Sequence, residues 1–415
     1  MGCSSASDEA VTEGGSGNGT GGGVVQERLL GFSASFADSE GKAAARATRS
    51  IGNIGDGEFT NSDLRHTGFG VYCWYTGTTT FDNFVSHSHI KDYTDKVLML
   101  NQQVYDTNPE AENANWTYEP PKYWPLKDDE KLTFRAYAPY VSYQLQTDEH
   151  GMPMLPVVVT KNDFHNGIQH DPLWGTSKHG GTDGEETTYG VLYDNYTYEM
   201  SGAETSKDAY DGKIYWYFHH GMAKLMFTIS VIQDPGCDSV QIDSIKIENL
   251  YTQGLLSLSS GTTSSTDKPD WAQRSGDMTV TLTQNKTKKT EPGDLAPIPQ
   301  PDPKPENYIP YPFVIKTSTT EATPYIQLIK KGLLVIPRDY LSEGLAVTVY
   351  YTVDNAYSDI LTATGTIKKV IEGNTSYELG LSLTPSTRGL EINLVQSAFT
   401  SWTDGGTIER TEYNW

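Results

Sequence analysis

The chain has 415 residues, enough for two domains that each bury a core. Its formal net charge of −22 disfavours attachment to nucleic acid or anionic lipid, so no nucleic-acid partner is expected. Glycine, threonine, serine, tyrosine and proline abound, no long segment carries helical periodicity, and no apolar run is long enough to cross a bilayer; the chain reads as all-β.

The first stretch, MGCSSASDEA followed by GGSGNGTGGG, is a tether with nothing to bury, taken as residues 1–23. Myristoylation would need Ser or Thr where Ala6 stands. Gly2-Cys3-Ser4-Ser5 instead has the form of the end of a bacterial lipobox, with Cys3 the lipidated residue and an apolar leader upstream of this sequence. The first strand spans Leu29–Ala37, where Phe32, Ala34 and Phe36 alternate with Ser33 and Ser35. Behind it GKAAARATRS is small and basic, and Lys42, Arg46 and Arg49 lie within reach of a trypsin-like protease.

FGVYCWY (Phe69–Tyr75) is the second strand, and KVLMLNQQVYD pairs with WTYEP across a polar loop. In KLTFRAYAPY, Leu132, Phe134, Ala136 and Ala138 point one way and Thr133, Arg135 and Tyr137 the other, giving a strand with one buried face that Pro139 ends. LPVVVT and YGVLY are the clear strands of a loop-rich stretch from Gln144 to Ser206. A composition shift at Ser201–Lys213 marks a boundary, and AKLMFTISVI then sets Leu225, Phe227, Ile229 and Val231 on one face. VQIDSIKIENLYTQGLLSL is a strand whose phase slips near Asp243–Ser244, the mark of a bulge or bend. Residues 259–308 form a polar, proline-rich excursion, and GLLVIP and GLAVTVYYTV resume the strands. TIKKVIEGNTSYELGLSL reads as a hairpin turning at Gly373-Asn374, and GLEINLVQSAFTSW places Leu390, Ile392 and Leu394 on one face. The whole reads as two mostly antiparallel β-sandwich domains in tandem, 24–205 and 210–415, the second carrying the 259–308 insertion.

No catalytic motif is found. There is no GxSxG elbow or HExxH helix, and the glycines Gly17, Gly19 and Gly22 have neither strand before nor helix after them. His87 with His89 and His219 with His220 read as exposed polar side chains rather than metal ligands, and the loop set His165, His170 and His179 with Asp163 and Asp171 reads as a coincidental cluster. Carboxylates in KDDEK and TDGEE lack the spacing of a glycosidase pair, so neither enzyme activity nor a cofactor is expected. Of the three cysteines, Cys73 and Cys237 could pair but are expected as free thiols. Trp124, Trp174 and Trp271 stand beside prolines in loops, where exposed rings would contact sugar faces and packed ones would anchor the loops.

Taken in order, Gly2-Cys3, LLGFSASFA with ARATR, FGVYCWY, KYWPLKDDEKLTFRAYAPY, FHHGMAKLMFTI, IDSIKIENLYTQG, GLLVIP and SWTDGG resemble the fimbrillin family of Bacteroidetes, surface lipoproteins that include type V pilins. The resemblance implies two transthyretin-like sandwiches, outer-membrane lipidation at Cys3 and assembly in a fimbria as a stalk, tip or accessory subunit. It implies an arginine-specific protease cutting at Arg46 or Arg49, release of the strand carrying Leu29, Phe32, Ala34 and Phe36, and a strand from another subunit in its place. The implied partners are other fimbrial subunits, that protease, and host or bacterial surface ligands. A surface glycan-binding lipoprotein that does not polymerise, using the three tryptophans, is the other reading.

Overall fold

Period-two alternation of apolar residues builds many of the described strands, and the architecture follows from which strands find buried faces. A computed structural model describes residues 28–36, 61–81, 96–160, 171–177, 194–198, 212–232, 237, 239–259, 269–283, 313–316, 326–327, 333–354 and 360–398. The first strands are β1 (Gly31–Phe36), β2 (Phe69–Gly77), β3 (Val97–Asp106), β4 (Trp116–Thr117) and β5 (Lys131–Ala138). Then come β6 (Gln146–Thr147), β7 (Pro153–Val158), β8 (Leu173–Ser177) and β9 (Lys213–His220). The one helix among the described residues, α1 (Asn61–Thr67), lies between β1 and β2.

The first sheet has seven strands in the order β1-β9-β8-β5-β2-β3-β4. β1 runs parallel to β9, Gly31 opposite Lys213 and Phe36 opposite Phe218, whereas the other pairings are antiparallel. The sheet encloses one apolar core on its inner face, with Phe69, Val71 and Cys73 from β2, Leu132, Phe134 and Ala136 from β5, and Ile214, Trp216 and Phe218 from β9. Its outer face is covered too: Tyr72, Trp74, Tyr137 and Trp174 belong to a second core shared with Leu155 and Val157 of β7. This corrects the single buried face expected for β5, because Arg135 is buried on the second face and pairs there with Asp194 at 2.7 Å. A strand covered on both faces reads as a near-continuous apolar run, as β2 does.

Outside the sheet, α1 staples a loop. Arg65 Nε donates to Asp106 Oδ2 at 2.5 Å, and its Nη atoms donate to the carbonyls of Ala111 at 2.8 Å, Asn108 at 2.9 Å and Asn113 at 3.2 Å. Asp106 Oδ1 accepts from the amides of Asn108 and Asn115, each at 3.0 Å.

The later strands are β10 (Ala223–Val231), β11 (Ser239–Leu250), β12 (Gln253–Ser257), β13 (Trp271–Ser275), β14 (Met278–Thr283), β15 (Phe313–Lys316) and β16 (Ile326–Gln327). They continue as β17 (Leu333–Val335), β18 (Arg338–Asp339), β19 (Leu345–Val353), β20 (Leu361–Ile367), β21 (Val370–Ile371), β22 (Thr375–Thr384) and β23 (Gly389–Ala398). One five-stranded sheet runs β16-β10-β22-β23 with β17 also on β10; another runs β14-β11-β19-β20 with β15 on β11. Leu225, Phe227, Ile229 and Val231 of β10 and Tyr377, Leu379, Leu381 and Leu383 of β22 meet Val240, Ile242, Ile245 and Ile247 of β11 and Val347, Val349 and Tyr351 of β19 in the second core. The slip expected near Asp243 is a bulge: β11 jumps from Ile242 to Ser244 against consecutive residues of β19.

Three expectations are corrected. Gly373-Asn374 does not turn a hairpin, because β20 pairs with β19 whereas β22 pairs parallel with β10 in the other sheet. The 259–308 stretch contains two strands, β13 on β12 and β14 on β11. Lys213–His220, assigned from sequence to the second unit, is β9 of the first sheet, and β12 of the later half pairs with β7 of the earlier one. YGVLY lies outside the described residues.

Candidate functional site

The first sheet curls until its two edges, β1 and β4, face each other across the inner core, and β1 fills the seam between them. Phe32 is 4% exposed and its ring packs against Tyr118, just past β4, at 5.4 Å, Phe134 at 6.1 Å and Phe69 at 6.4 Å. Leu30, in the same phase, is 0% exposed, and Ala34 is half-buried against the same core. Leu29, expected among the inward residues, is 55% exposed: the inward phase is even-numbered, so Leu30 takes the place assigned to Leu29. Phe36 closes β1 opposite Phe218.

Both sides of the seam hold the leading end of β1. Leu30 N donates to Lys122 O at 2.9 Å, Trp124 N to Arg28 O at 2.8 Å, and Gly31 N to Gly212 O at 2.8 Å. The Tyr118 hydroxyl donates to Leu30 O at 2.7 Å, and burial pushes its pKa up to about 12, so it stays protonated as a donor. Trp124 Nε1 donates to Gly212 O at 2.9 Å. Gly212 has a φ of +73°, and a Cβ there would meet Leu29 O at 2.6 Å, so only glycine lets the chain pass so close to β1. The Arg28 guanidinium pairs with Asp128 at 2.6 Å and lies over the Tyr198 ring at 4.3 Å. Neither Gly212 nor Arg28 carries a local sequence signal, because each matters only once distant segments converge.

The exposed tryptophan platforms are corrected. Trp124 is 2% exposed and Trp174 is 0% exposed, and Trp271 is half-buried with its Nε1 donating to Gly221 O at 3.0 Å. Trp174 and Trp271 stand on β8 and β13 rather than in the loops expected, and rings packed in this way are not free to stack on a sugar. The exposed histidine pair is corrected as well. His219 is buried, stacks on Trp174 at 5.2 Å and lies 2.9 Å from Thr176 Oγ1. Burial, with His220 beside it, pushes the His219 pKa down to about 4. His220 Nδ1 is hydrogen-bonded to Asp171 Oδ2, both groups buried. Cys73 and Cys237 are buried free thiols, and burial pushes the Cys73 pKa well up. Among the described residues, no group of three or more His, Cys, Asp or Glu is placed to hold a metal ion, and no helix is long and apolar enough to cross a membrane. Cys3, Arg46, Arg49, His87, His89, His165, His170 and His179 lie outside the described residues.

The sequence profile of the fimbrillin-like family matches residues 48–402, a span that begins beyond β1. No curated protein matches the chain. Among solved structures, a fimbrial protein from Bacteroides vulgatus aligns at 17% identity and a TM-score of 0.49, covering 90% of this chain and 100% of its own. The tip fimbrial protein Mfa3 from Porphyromonas gingivalis aligns at 9% identity and a TM-score of 0.36, covering 81% of this chain and 96% of its own.

Proposed function

Because the chain belongs to the fimbrillin-like family, we propose that it is a structural and adhesive subunit of a cell-surface fimbria, assembled by exchanging its first strand. The observation that carries this reading is the seam. β1 is an edge strand that plugs a core otherwise built from the rest of the sheet, and among the described side chains Leu30 and Phe32 are the ones it buries deeply there. Two such side chains at ~1.5–3 kcal/mol each are worth roughly 3–6 kcal/mol, and each main-chain hydrogen bond adds about 0.5–1.5 kcal/mol net. Removal would bare Phe69, Tyr118 and Phe134 beside an unpaired edge of β9, a surface that a strand of equivalent pattern refills. A head-to-tail contact of this kind does not close on itself and propagates as a fibre.

In this reading Cys3 carries the lipid that holds the precursor at the outer membrane. An arginine-specific protease cuts at Arg46 or Arg49, and the partners are other fimbrial subunits. The protein transforms no substrate; it bears load and presents surface. Limited trypsin digestion with intact-mass readout, followed by heated and unheated gels, tests this. A discrete clip after Arg46 or Arg49 followed by a heat-sensitive ladder is expected. A fully clipped protein that stays a single species at high concentration overturns the reading.

A further inference from the structure

β1 is not held evenly along its length. At its leading end Arg28, Leu30 and Gly31 are bonded on both flanks, by the 118–124 segment on one side and Gly212 on the other. Among the described side chains of residues 28–35, the two deeply buried ones, Leu30 and Phe32, also sit in this half. Arg28 adds an ion pair to Asp128 and a cation–π contact to Tyr198. The trailing half differs. Ser33, Ala34 and Ser35 are half-buried, and among the described residues Ser33–Phe36 pair only with β9.

We propose that β1 opens from its Phe36 end and that Arg28 is the last point to let go, so that an incoming strand enters the seam beside Phe218 and displaces β1 toward Gly212. The entry of a second strand rests on the strand-exchange reading above; the order of opening rests on the geometry alone. A zipper that must start at the weak end keeps the apolar half of the seam covered until a replacement is already seated. Cutting the chain behind β1 therefore frees the weak end first and leaves the strand bound. Arg28 is a positioning residue, holding the strand end rather than touching the incoming one.

Hydrogen–deuterium exchange with residue-level fragmentation on the uncut chain tests the order. By strand alternation the amide of Ser35 points into the same ladder as that of Gly31, so the two compare directly. Ser35 should exchange about tenfold or more faster than Gly31. Arg28→Gln should raise exchange at Leu30 and Gly31 about three- to tenfold and leave Ser35 unchanged, and Asp128→Asn should do the same about twofold. Asp128 is exposed and the change is isosteric, so this variant keeps the fold. Equal protection along β1, a reversed gradient, or variants that speed both ends alike would overturn the proposal. A second arm uses a chain cut at a specific protease site placed in 38–45 and offered a labelled copy of residues 28–36. Label uptake about three- to tenfold faster in Arg28→Gln supports the latch. Absence of uptake beside an intact exchange gradient refutes strand exchange and leaves the opening order standing; uptake beside a flat gradient refutes the opening order.

Discussion

His219 and His220 are neighbours in sequence that point to opposite faces of β9, and both faces are buried. That is why polarity misled the sequence reading: on a sheet covered on both sides, alternation no longer carries one of two adjacent side chains into water. The placement of His219 has a pH consequence. Its folded pKa is about 4, below the ordinary histidine value of 6.5, so the unfolded chain takes up the proton first. The stability it contributes is complete above pH 6.5 and is lost as pH falls toward 4. Between pH 7.5 and 5 this is worth about 2 kcal/mol. Urea unfolding at the two pH values should show that loss, and His219→Gln, whatever it costs at pH 7.5, should flatten the slope by about that amount.

At the level of elements, β1 separates what alternation reveals from what it cannot. The sequence identified the strand, and Phe32 as a core residue, from the Phe32, Ala34, Phe36 pattern, but the pattern alone does not say where an inward phase begins. Leu29 and Leu30 are chemically equivalent, and the phase of Phe32 and Ala34 reaches back to them only because the extended pairing continues past the strand, as the β-bridge of Leu29 to Tyr123 shows. Phe32→Ala should therefore cost about 3–5 kcal/mol in thermal or urea unfolding, whereas Leu29→Ala should stay within about 0.5 kcal/mol. The bulge at Asp243 was legible because a slipped residue breaks the alternation locally. The hairpin at Gly373-Asn374 was misread because the turn is real but its flanking strands pair elsewhere; Asn374, with a φ of +53°, turns β22 onto β10 rather than back onto β20.

At the scale of the molecule, all-β character was readable from composition, and long-range pairing was not. Nothing local in Lys213–His220 says that it returns to lie between β1 and β8, or that β12 crosses to β7. These pairings make the second core continuous from Trp74 of β2 to Leu383 of β22. A fragment ending at residue 205 lacks β9 and so lacks the strand that joins β1 to β8. Expressed alone it should show no cooperative melt, while the full chain should unfold with coincident circular-dichroism and tryptophan-fluorescence transitions; an independently folded 24–205 fragment would contradict this topology. The loop bound by Arg65 has a different reach. Its backbone carbonyls converge on one planar guanidinium, a geometry that a lysine cannot reproduce. Antibodies raised against the folded protein should therefore read residues 107–115 as a conformational epitope. A linear peptide of the same sequence should fail to compete, and Arg65→Lys should erase recognition without altering a single residue the antibody touches.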